Sequence, residues 1–198
     1  MTSKSMKHRS DVRTQAEFER DICARTNKER FLARLFVMEM RERGPNIRIE
    51  ELGNKDAGQV TDSSSCEADY VICTIIDTGI TKIPIDIKCC GIKTKATFKV
   101  YQLEQYVKQG ASILLFLGTG FIDKDPAKIN YDNTVWALIH PNDIQRMLDD
   151  LPHYKEKTFG YKMCVRVNER DFSKYFILND LKVKNIEYSE NMDLNLDK

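Results

Sequence analysis

The segment "ADYVICTIIDTGITKIPIDIKCC" (residues 68–90) decides the fold, because it contains two strand patterns joined by a turn. Both runs are rich in Val, Ile and Thr, and the Asp-Thr-Gly sequence at 77–79 between them is a strong signal for a β-hairpin. In the second run, isoleucines alternate with proline or charged residues. Asp86 and Lys88 are therefore predicted to project together from one face of the strand.

The register of this hairpin decides whether a second acid joins that pair. Paired residues in an antiparallel hairpin have a constant sum of sequence numbers, and a two-residue Thr78-Gly79 loop gives a sum of 157. Asp69 would then lie opposite Lys88 and diagonal to Asp86, about 5 to 8 Å away on the same face. A three-residue loop makes the sum even and separates the acids, unless a bulge intervenes. A shared site therefore predicts an odd sum.

Upstream of the hairpin, the sequence predicts helix and then strand. A helical pattern runs from about Arg13 to Arg43, with a break near Thr26-Asn27 at which Asn27 could cap a second helix. "NIRIEEL" (46–52) predicts a short strand. The Gly-, Ser- and Asp-rich residues 53–67 predict a loop.

Downstream, the predicted elements continue to alternate. Residues 97–110 form an amphipathic pattern that ends at Gly110, and the apolar run 111–118 is short enough for a buried strand. "NTVWALIH" predicts another strand, and Pro141 begins a short helix. "GYKMCVRVN" and "DFSKYFIL" are expected to pair as a second hairpin.

This order of elements favours an α/β sandwich with a mixed sheet. We expect one domain over residues 1–198, with flexible ends at 1–12 and 188–198. The composition, 41% hydrophobic and 31% charged, is that of a soluble globular protein. No apolar run approaches the ~18 residues of a membrane span, and the basic N-terminus lacks an apolar leader segment. An intracellular, cytoplasmic protein is therefore expected.

Two further features of the composition bear on function. The six cysteines form no C-x-x-C pair and no pattern with histidine, which argues against a zinc site or a disulfide framework. Residues 82–108 hold six lysines against Asp86 and Glu104, so a basic zone surrounds the hairpin motif. Scattered, solvated lysines are the alternative interpretation. The lysines expected to touch backbone phosphates are Lys82, Lys93, Lys95 and Lys99.

Two carboxylates on one face, next to a backbone carbonyl such as that of Ile87, are ligands that a hard divalent cation prefers. A bound Mg²⁺ keeps several waters, one of which can become a nucleophile. A nearby lysine can orient or deprotonate that water and can stabilise charge developing on a phosphate, because the pKa of a crowded lysine falls readily. The set Asp69, Asp86 and Lys88 therefore predicts metal-assisted hydrolysis of a phosphodiester.

Asp69 followed by Asp86-Ile87-Lys88 resembles the motif of the PD-(D/E)XK nuclease superfamily, whose members share the restriction-endonuclease-like fold. The next predicted helix contains "QLEQY" (102–106), which matches the Q-x-x-x-Y signature of RecB-type members. Archaeal-type Holliday-junction resolvases are similar in length and element order. The resemblance covers about residues 27–118. It departs from the common pattern at Ala68, where proline is usual, and at Asp86, where glutamate is commoner.

The resemblance implies a restriction-endonuclease-like core in αβββαβ order, with a central mixed sheet flanked by helices and a C-terminal α+β extension over about 119–187. It also implies a metal-dependent deoxyribonuclease, an endonuclease rather than an exonuclease. The implied cofactor is Mg²⁺, for which Mn²⁺ would substitute. The implied metal ligands are Asp69, Asp86 and the carbonyl of Ile87. DNA is the implied partner, and a homodimer is one expected assembly, since cutting both strands often involves two subunits in such folds.

The resemblance further implies that an acid of the first helix joins the site. Glu29 is the first choice, with Glu39 and Glu42 as competitors, and Gln102 and Tyr106 are the supporting residues of the second helix. Each residue also has a plain structural explanation, such as a first-turn acid for Glu29 or a helix edge for Gln102. A non-catalytic nucleic-acid-binding or assembly protein remains the alternative, as does hydrolysis of RNA or a nucleotide.

Overall fold

The computed structural model describes residues 15–52, 68–120 and 133–182. The predicted flexible ends, the predicted loop 53–67 and Cys66 lie outside these ranges. The helices are α1 (Gln15–Glu42), α2 (Val100–Gln109), α3 (Pro141–Asp150) and α4 (Phe172–Tyr175). The strands are β1 (Asn46–Glu51), β2 (Tyr70–Ile76), β3 (Gly79–Cys90), β4 (Lys95–Lys99), β5 (Ser112–Leu117), β6 (Val135–Ile139), β7 (Tyr154–Glu156), β8 (Lys162–Asn168) and β9 (Asn179–Asp180).

The main sheet of the described chain has six strands in the order β1-β2-β3-β5-β6-β9. Only β3 and β5 pair in parallel, and the other neighbours are antiparallel. The crossover from β3 to β5 carries α2, as a parallel connection requires. The predicted α/β class with a mixed sheet and flanking helices is therefore confirmed.

The β2–β3 hairpin has the predicted odd register, although its sum is 155 and not 157. Ile76 pairs with Gly79, so the two-residue loop is Asp77-Thr78. The prediction of a Thr78-Gly79 loop is wrong, because the glycine is the first residue of β3. Its φ of 146°, a conformation that L side chains rarely adopt, lets the chain leave the turn and enter the strand.

The two faces of the main sheet bury separate cores, and β5 contributes to both. Leu114 and Phe116 face α1, whereas Ile113, Leu115 and Leu117 face α2 and α3. All six residues of β5 are buried, as expected for a central strand with covered faces. Strand β3 lies beside β5, and successive side chains of β3 likewise alternate between the two sides of the sheet.

Helix α1 is continuous, so the predicted break near Thr26-Asn27 is wrong. Relative to alanine, residues such as Thr26 and Asn27 each destabilise a helix interior by at most about 0.7 kcal/mol. The next turns bury Phe31, Leu32 and Leu35 completely, each a gain of about 1.5–3 kcal/mol. Tertiary packing therefore outweighs the local capping signal of Asn27.

The sequence predicted a helix over the whole of 97–110, but the first residues of this segment belong to β4. Ala96 and Phe98 are buried while Lys95 is exposed, which is the alternation of a strand. Helix α2 begins only at Val100 and ends at Gly110, which adopts a left-handed conformation with a φ of 66° as the predicted stop. Strand β4 pairs with β8, which is far along the chain and gives no local signal.

The strands that pair in this part of the chain also differ from those of the predicted second hairpin. β8 pairs with β7 and β4 in a separate three-stranded sheet, ordered β4-β8-β7. "DFSKYFIL" does not form its second strand, because it contains the short helix α4 instead. Phe172, Tyr175 and Phe176 are spaced as one helical face, and all three are buried against the α2 side of the main sheet.

Two remaining observations concern the chain as a whole. No helix among residues 15–52, 68–120 and 133–182 is long and apolar enough to cross a membrane. Cys23, Cys73, Cys89, Cys90 and Cys164 are free thiols.

Because β5 is buried on both faces, shortening one of its side chains should destabilise the fold strongly. We expect Leu115→Ala to lower the free energy of unfolding by about 2–5 kcal/mol, from lost burial and the cavity left behind. Ile177→Ala is the control, since Ile177 is 79% exposed and its replacement should change stability by about 0.5 kcal/mol at most. Urea denaturation followed by the fluorescence of the single tryptophan, Trp136, measures both; equal effects of the two changes would contradict the assignment of β5 as the central strand.

Candidate active site

Asp86, Lys88 and Tyr106 form one contact network on the α2 side of the main sheet. The Lys88 Nζ atom lies 2.5 Å from Oδ2 of Asp86. The Tyr106 hydroxyl, from α2, donates a hydrogen bond to the same Oδ2 atom. Asp86 is buried, while the side chain of Lys88 retains 32% exposure. The predicted acid–lysine pair and the tyrosine of the Q-x-x-x-Y segment therefore meet in space.

Asp69 immediately precedes β2. The described pairs of the hairpin begin at Tyr70, opposite Ile85, and Asp69 lies in a bend just before them. The register sum of 155 rules out the predicted pairing of Asp69 with Lys88, and Asp69 is not among the residues that line the cavity described below. The Asp69 carbonyl accepts a hydrogen bond of 2.9 Å from the Leu52 amide, which fixes the backbone at the start of the strand.

The three acids proposed for α1 have different environments. Glu29 lines the same cavity as Lys88. Glu39 is buried elsewhere, where it pairs with Arg43 and accepts a hydrogen bond of 2.7 Å from the Lys182 amide. Glu42 is exposed and lies 13 residues from Glu29, about 20 Å along the helix. Of the three, Glu29 is the acid that the fold brings to the lysine.

A cavity of about 540 Å³ opens beside the network. Lys88, Gln102 and Tyr106 line it, so α2 contributes both residues of the Q-x-x-x-Y segment. The other charged residues on its wall are Arg25, Lys28, Glu29 and Lys99. The wall carries four cations and one acid, and because Asp86 neutralises Lys88 from just outside it, the remaining excess of positive charge comes from Arg25, Lys28 and Lys99. Such a surface attracts anions.

Burial and crowding of positive charge act on the lysines of this wall. The Lys28 side chain is buried, and its Nζ donates a hydrogen bond of 2.9 Å to the Gly120 carbonyl. Burial lowers the pKa of Lys28. Burial also lowers the pKa of Lys99, and the positive charges of Lys162 and Lys88 lower it further. A bound anion would relieve this repulsion.

The electrostatic environment of Lys88 differs from the one that the sequence suggested. Burial by itself lowers the pKa of Lys88, but the charge of Asp86, followed by Tyr106 and Glu29, outweighs it, so the pKa is raised. Burial raises the pKa of Tyr106 as well, which keeps its hydroxyl a donor to Asp86. In this arrangement Lys88 is an ammonium group and not a free amine.

Two cysteine thiols, Cys89 and Cys90, also line the cavity. Burial raises the pKa of both. In the arrangement described they are therefore protonated near neutral pH.

Of the four lysines expected to contact phosphates, only Lys99 lines the cavity. Lys82 is exposed near the hairpin turn and lies 3.6 Å from Glu50, six residues and about 20 Å along β3 from Lys88. Lys95 is exposed at the start of β4. The side chain of Lys93 packs against Gly118, so closely that a Cβ atom added at Gly118 would lie 2.7 Å from Cε of Lys93.

Sequence reasoning missed three residues of the cavity wall, namely Arg25, Lys28 and Phe159. Lys28 adjoins Glu29, but its position on a predicted helix terminus made it an ordinary first-turn residue. Phe159 lies in the "KTFGYK" segment (157–162), in which two lysines flank two aromatic residues. That combination of basic and aromatic side chains was a usable signal, although its distance along the chain from the hairpin hid its place in the site.

The donor set can be tested for its fit to a divalent cation. Asp86 uses Oδ2 for both of its described contacts, and Asp69, the second acid of the predicted ligand set, lies in the bend before β2. The side chain of Ile87 is buried on the other face of the sheet, so only its backbone carbonyl can contribute a ligand. Within residues 15–52, 68–120 and 133–182, no group of three or more His, Cys, Asp or Glu side chains is arranged to hold a metal ion. An ion at this position would have to be one that takes one or two carboxylates and keeps several waters, as Mg²⁺ does.

No family model, no curated protein and no solved structure matches the chain. The function is therefore inferred from the residues and geometry of the site.

The position of Glu39 predicts a structural role that is separable from the site. We expect Glu39→Ala to lower the free energy of unfolding by about 1.5–3 kcal/mol, because it removes the acceptor of the Lys182 amide and the partner of Arg43. Glu42→Ala, at an exposed position on the same helix, is the matched control and should change stability little. Urea denaturation measures both. A loss with Glu42→Ala as large as that with Glu39→Ala would contradict this role.

Proposed function

We propose that the chain is a metal-dependent DNA nuclease with a restriction-endonuclease-like core, which hydrolyses phosphodiester bonds at the Asp86–Lys88–Tyr106 network. The observation that carries the proposal is the convergence of Asp86, Lys88, Tyr106, Gln102 and Glu29 at one basic cavity, from α1, β3 and α2. The PD-(D/E)XK resemblance calls for these residues together with Asp69, which precedes β2.

The element order is compatible with this core. The αβββαβ order corresponds to α1, β1, β2, β3, α2 and β5, with the short strand β4 inserted before α2. In addition, β6 and β9 extend the main sheet, and the three-stranded sheet packs β4 and β8 against α2 and α3. The predicted extension thus shares the core of the main sheet on the α2 side.

Asp69, Asp86 and the Ile87 carbonyl are the residues that would hold the cation. When bound, Mg²⁺ would neutralise charge on the scissile phosphate and make a coordinated water acidic enough to act as a nucleophile. Mn²⁺ prefers similar oxygen ligands and would substitute. Tyr106 would keep the Asp86 carboxylate oriented through its hydrogen bond.

Lys88 and the other cations supply the positive charge that phosphodiester hydrolysis needs. The ammonium group of Lys88, 2.5 Å from Asp86, is suited to orienting a water and stabilising negative charge that develops on the phosphate. Glu29, on the same cavity wall, is placed to accept a hydrogen bond from water or from a metal-bound ligand, and Gln102 to donate one to the substrate. Lys99, Lys28 and Arg25 would bind flanking phosphates.

A non-catalytic DNA-binding protein is the second candidate. It is favoured by the cavity wall itself, since Arg25, Lys28 and Lys99 could bind phosphates without any cation at Asp86. Both candidates share the basic cavity, so turnover and not binding separates them.

Removing the charge of Asp86 should abolish cleavage. We expect Asp86→Asn to lower the Mg²⁺-dependent cleavage rate at least about 100-fold, because the metal loses a carboxylate ligand. The assay is gel analysis of a panel of duplex, single-stranded and branched DNAs, with and without EDTA.

Asp77→Asn is the matched control for this experiment, since Asp77 is an exposed acid in the turn of the same hairpin. It should cleave at the parental rate. Equal cleavage by the parent and Asp86→Asn would contradict the assigned site, and DNA binding without cleavage by either protein would favour the second candidate.

The cavity also predicts which lysines matter for binding. We expect Lys99→Ala to weaken DNA binding and to reduce the slope of log Kobs against log salt by about 1, since one phosphate contact is lost. Lys82→Ala should leave the slope unchanged, because Lys82 lies near the hairpin turn and pairs with Glu50. Fluorescence anisotropy at several salt concentrations measures both slopes; a larger change with Lys82→Ala would place the DNA on another surface.

A further inference from the structure

The segment that joins β7 to β8 and includes the first residue of β8, which we call the KTFGYK loop (residues 157–162), places an aromatic ring in the basic cavity. Phe159 is half-buried and lines the cavity together with Lys88 and Tyr106. The Nζ atom of Lys99 lies 5.3 Å from the centroid of the Phe159 ring. An aromatic face and a cation therefore meet on the cavity wall beside the proposed catalytic residues.

A second pair of the same kind adjoins the first. The Nζ atom of Lys162 lies 5.4 Å from the centroid of the Tyr101 ring. The charge of Lys162 also helps to lower the pKa of Lys99. Tyr161 in the same loop is 60% exposed. Basic side chains that follow a backbone, with aromatic rings between them, are the surface that single-stranded nucleic acids use.

The KTFGYK loop is held in one shape by Glu156. Its carboxylate accepts hydrogen bonds from the backbone and hydroxyl of Thr158, at 3.2 and 3.0 Å, and from Tyr154 at 3.1 Å. Arg166 pairs with the same carboxylate at 2.7 Å. An ordered loop of this kind presents its rings without a large loss of conformational freedom on binding.

The backbone of the loop contains one unfavourable conformation. Tyr161 has a φ of 60°, which is uncommon for any residue with a side chain other than Asn or Asp. Gly160 before it is also left-handed, with a φ of 65°. Together they turn the chain back into β8 directly after Phe159, so the ring of Phe159 stays at the cavity while Tyr161 points outward to solvent.

We propose that Phe159 and its lysine neighbour form a stacking subsite that holds an unpaired nucleotide beside the catalytic residues. The substrate class is then a nucleic acid with unpaired bases, such as a single-stranded end, flap or branch point, in preference to uninterrupted duplex. That the bound nucleic acid is a substrate, and not only a ligand, rests on the proposed nuclease function. The cavity volume of about 540 Å³ is within the ~300–1,000 Å³ range of cavities that enclose a small molecule, the size class of one nucleotide.

An unpaired base is required for a physical reason. In a duplex both faces of each base are covered by neighbouring bases, so a protein ring can stack only on a base at an end, in a loop or flipped out of the helix. Phe159 lies on the wall of a cavity and not on an open ridge. A base must therefore leave its stack to reach the ring.

The test uses binding in the Asp86→Asn background, in which the DNA stays intact. The probes are a fluorescein-labelled 20-nucleotide single strand of DNA, the RNA of the same sequence and the DNA duplex, and fluorescence anisotropy gives each Kd. We expect the single strands to bind at least about tenfold more tightly than the duplex. Phe159→Leu should weaken single-strand binding about tenfold or more, since it removes the planar ring but keeps most of its volume, and should change duplex binding less than about twofold.

Three further measurements keep the outcome clear. Phe159→Trp should retain single-strand binding, because it keeps a ring to stack on, and its added indole should be quenched when the strand binds. Ile177→Ala, an exposed apolar side chain beside β9, should bind like the parent. The fluorescence of Trp136 reports whether each of the other variants is folded. The tighter of the DNA and RNA strands identifies the source of the unpaired nucleotide.

Equal affinity for duplex and single strand, or unchanged single-strand binding by folded Phe159→Leu, would overturn the stacking subsite. These results are independent of turnover. Mg²⁺-dependent cleavage by the parent together with unchanged binding by Phe159→Leu would overturn the subsite and leave the proposed function standing. Loss of single-strand binding in Phe159→Leu, with no cleavage by the parent, would support the stacking subsite and overturn the proposed nuclease function.

Discussion

The alternation of side chains along β3 is the constraint on which both the fold and the site depend. β3 pairs with β2 in the hairpin and, from Ile85 onward, with β5 in parallel, so this second half of the strand lies inside the main sheet and is covered on both faces. Ile85 and Ile87 complete the core beneath α1, which obliges Asp86 and Lys88 to point to the α2 side. Charged groups on a covered face must find partners, because an unpaired buried charge is costly. Asp86 finds two of them, Lys88 and Tyr106.

The cavity beside this network combines opposing electrostatic demands. Lys88 is stabilised as a cation by the acids around it, whereas Lys28 and Lys99 have lowered pKa values because they are buried without an adequate counter-charge. A site that holds uncompensated positive charge next to two carboxylates is poised for a ligand that brings both an anion and, in the proposed mechanism, a divalent cation. Active sites are a common location for such perturbed groups, because stability is not the property for which they are arranged.

The parts of the fold that were predictable are those with a strong local signal. The β2–β3 hairpin, the buried strand β5, the end of α2 at Gly110 and the start of α3 at Pro141 follow from turn residues, apolar runs and glycine or proline at element ends. The errors share a different cause. α1 continues through Asn27 because distal packing outweighs a weak cap, and β4 exists because β8 pairs with it from almost 70 residues away. Neither packing nor distant pairing is written in a local window of sequence.

The sequence by itself determined that Asp86 and Lys88 share a face, since side chains in a strand alternate with a period of two, and it determined that the hairpin has a two-residue loop and an odd register. Only the tertiary structure decided that the register sum is 155 and not 157, because a slip of one residue pair changes the opposite residue but not the parity. It also decided that Glu29 and not Glu39 lies on the same cavity wall as the lysine, and that Phe159 lines that cavity. These choices depend on how helices and a second sheet pack across the main sheet, and that packing is a property of the whole chain.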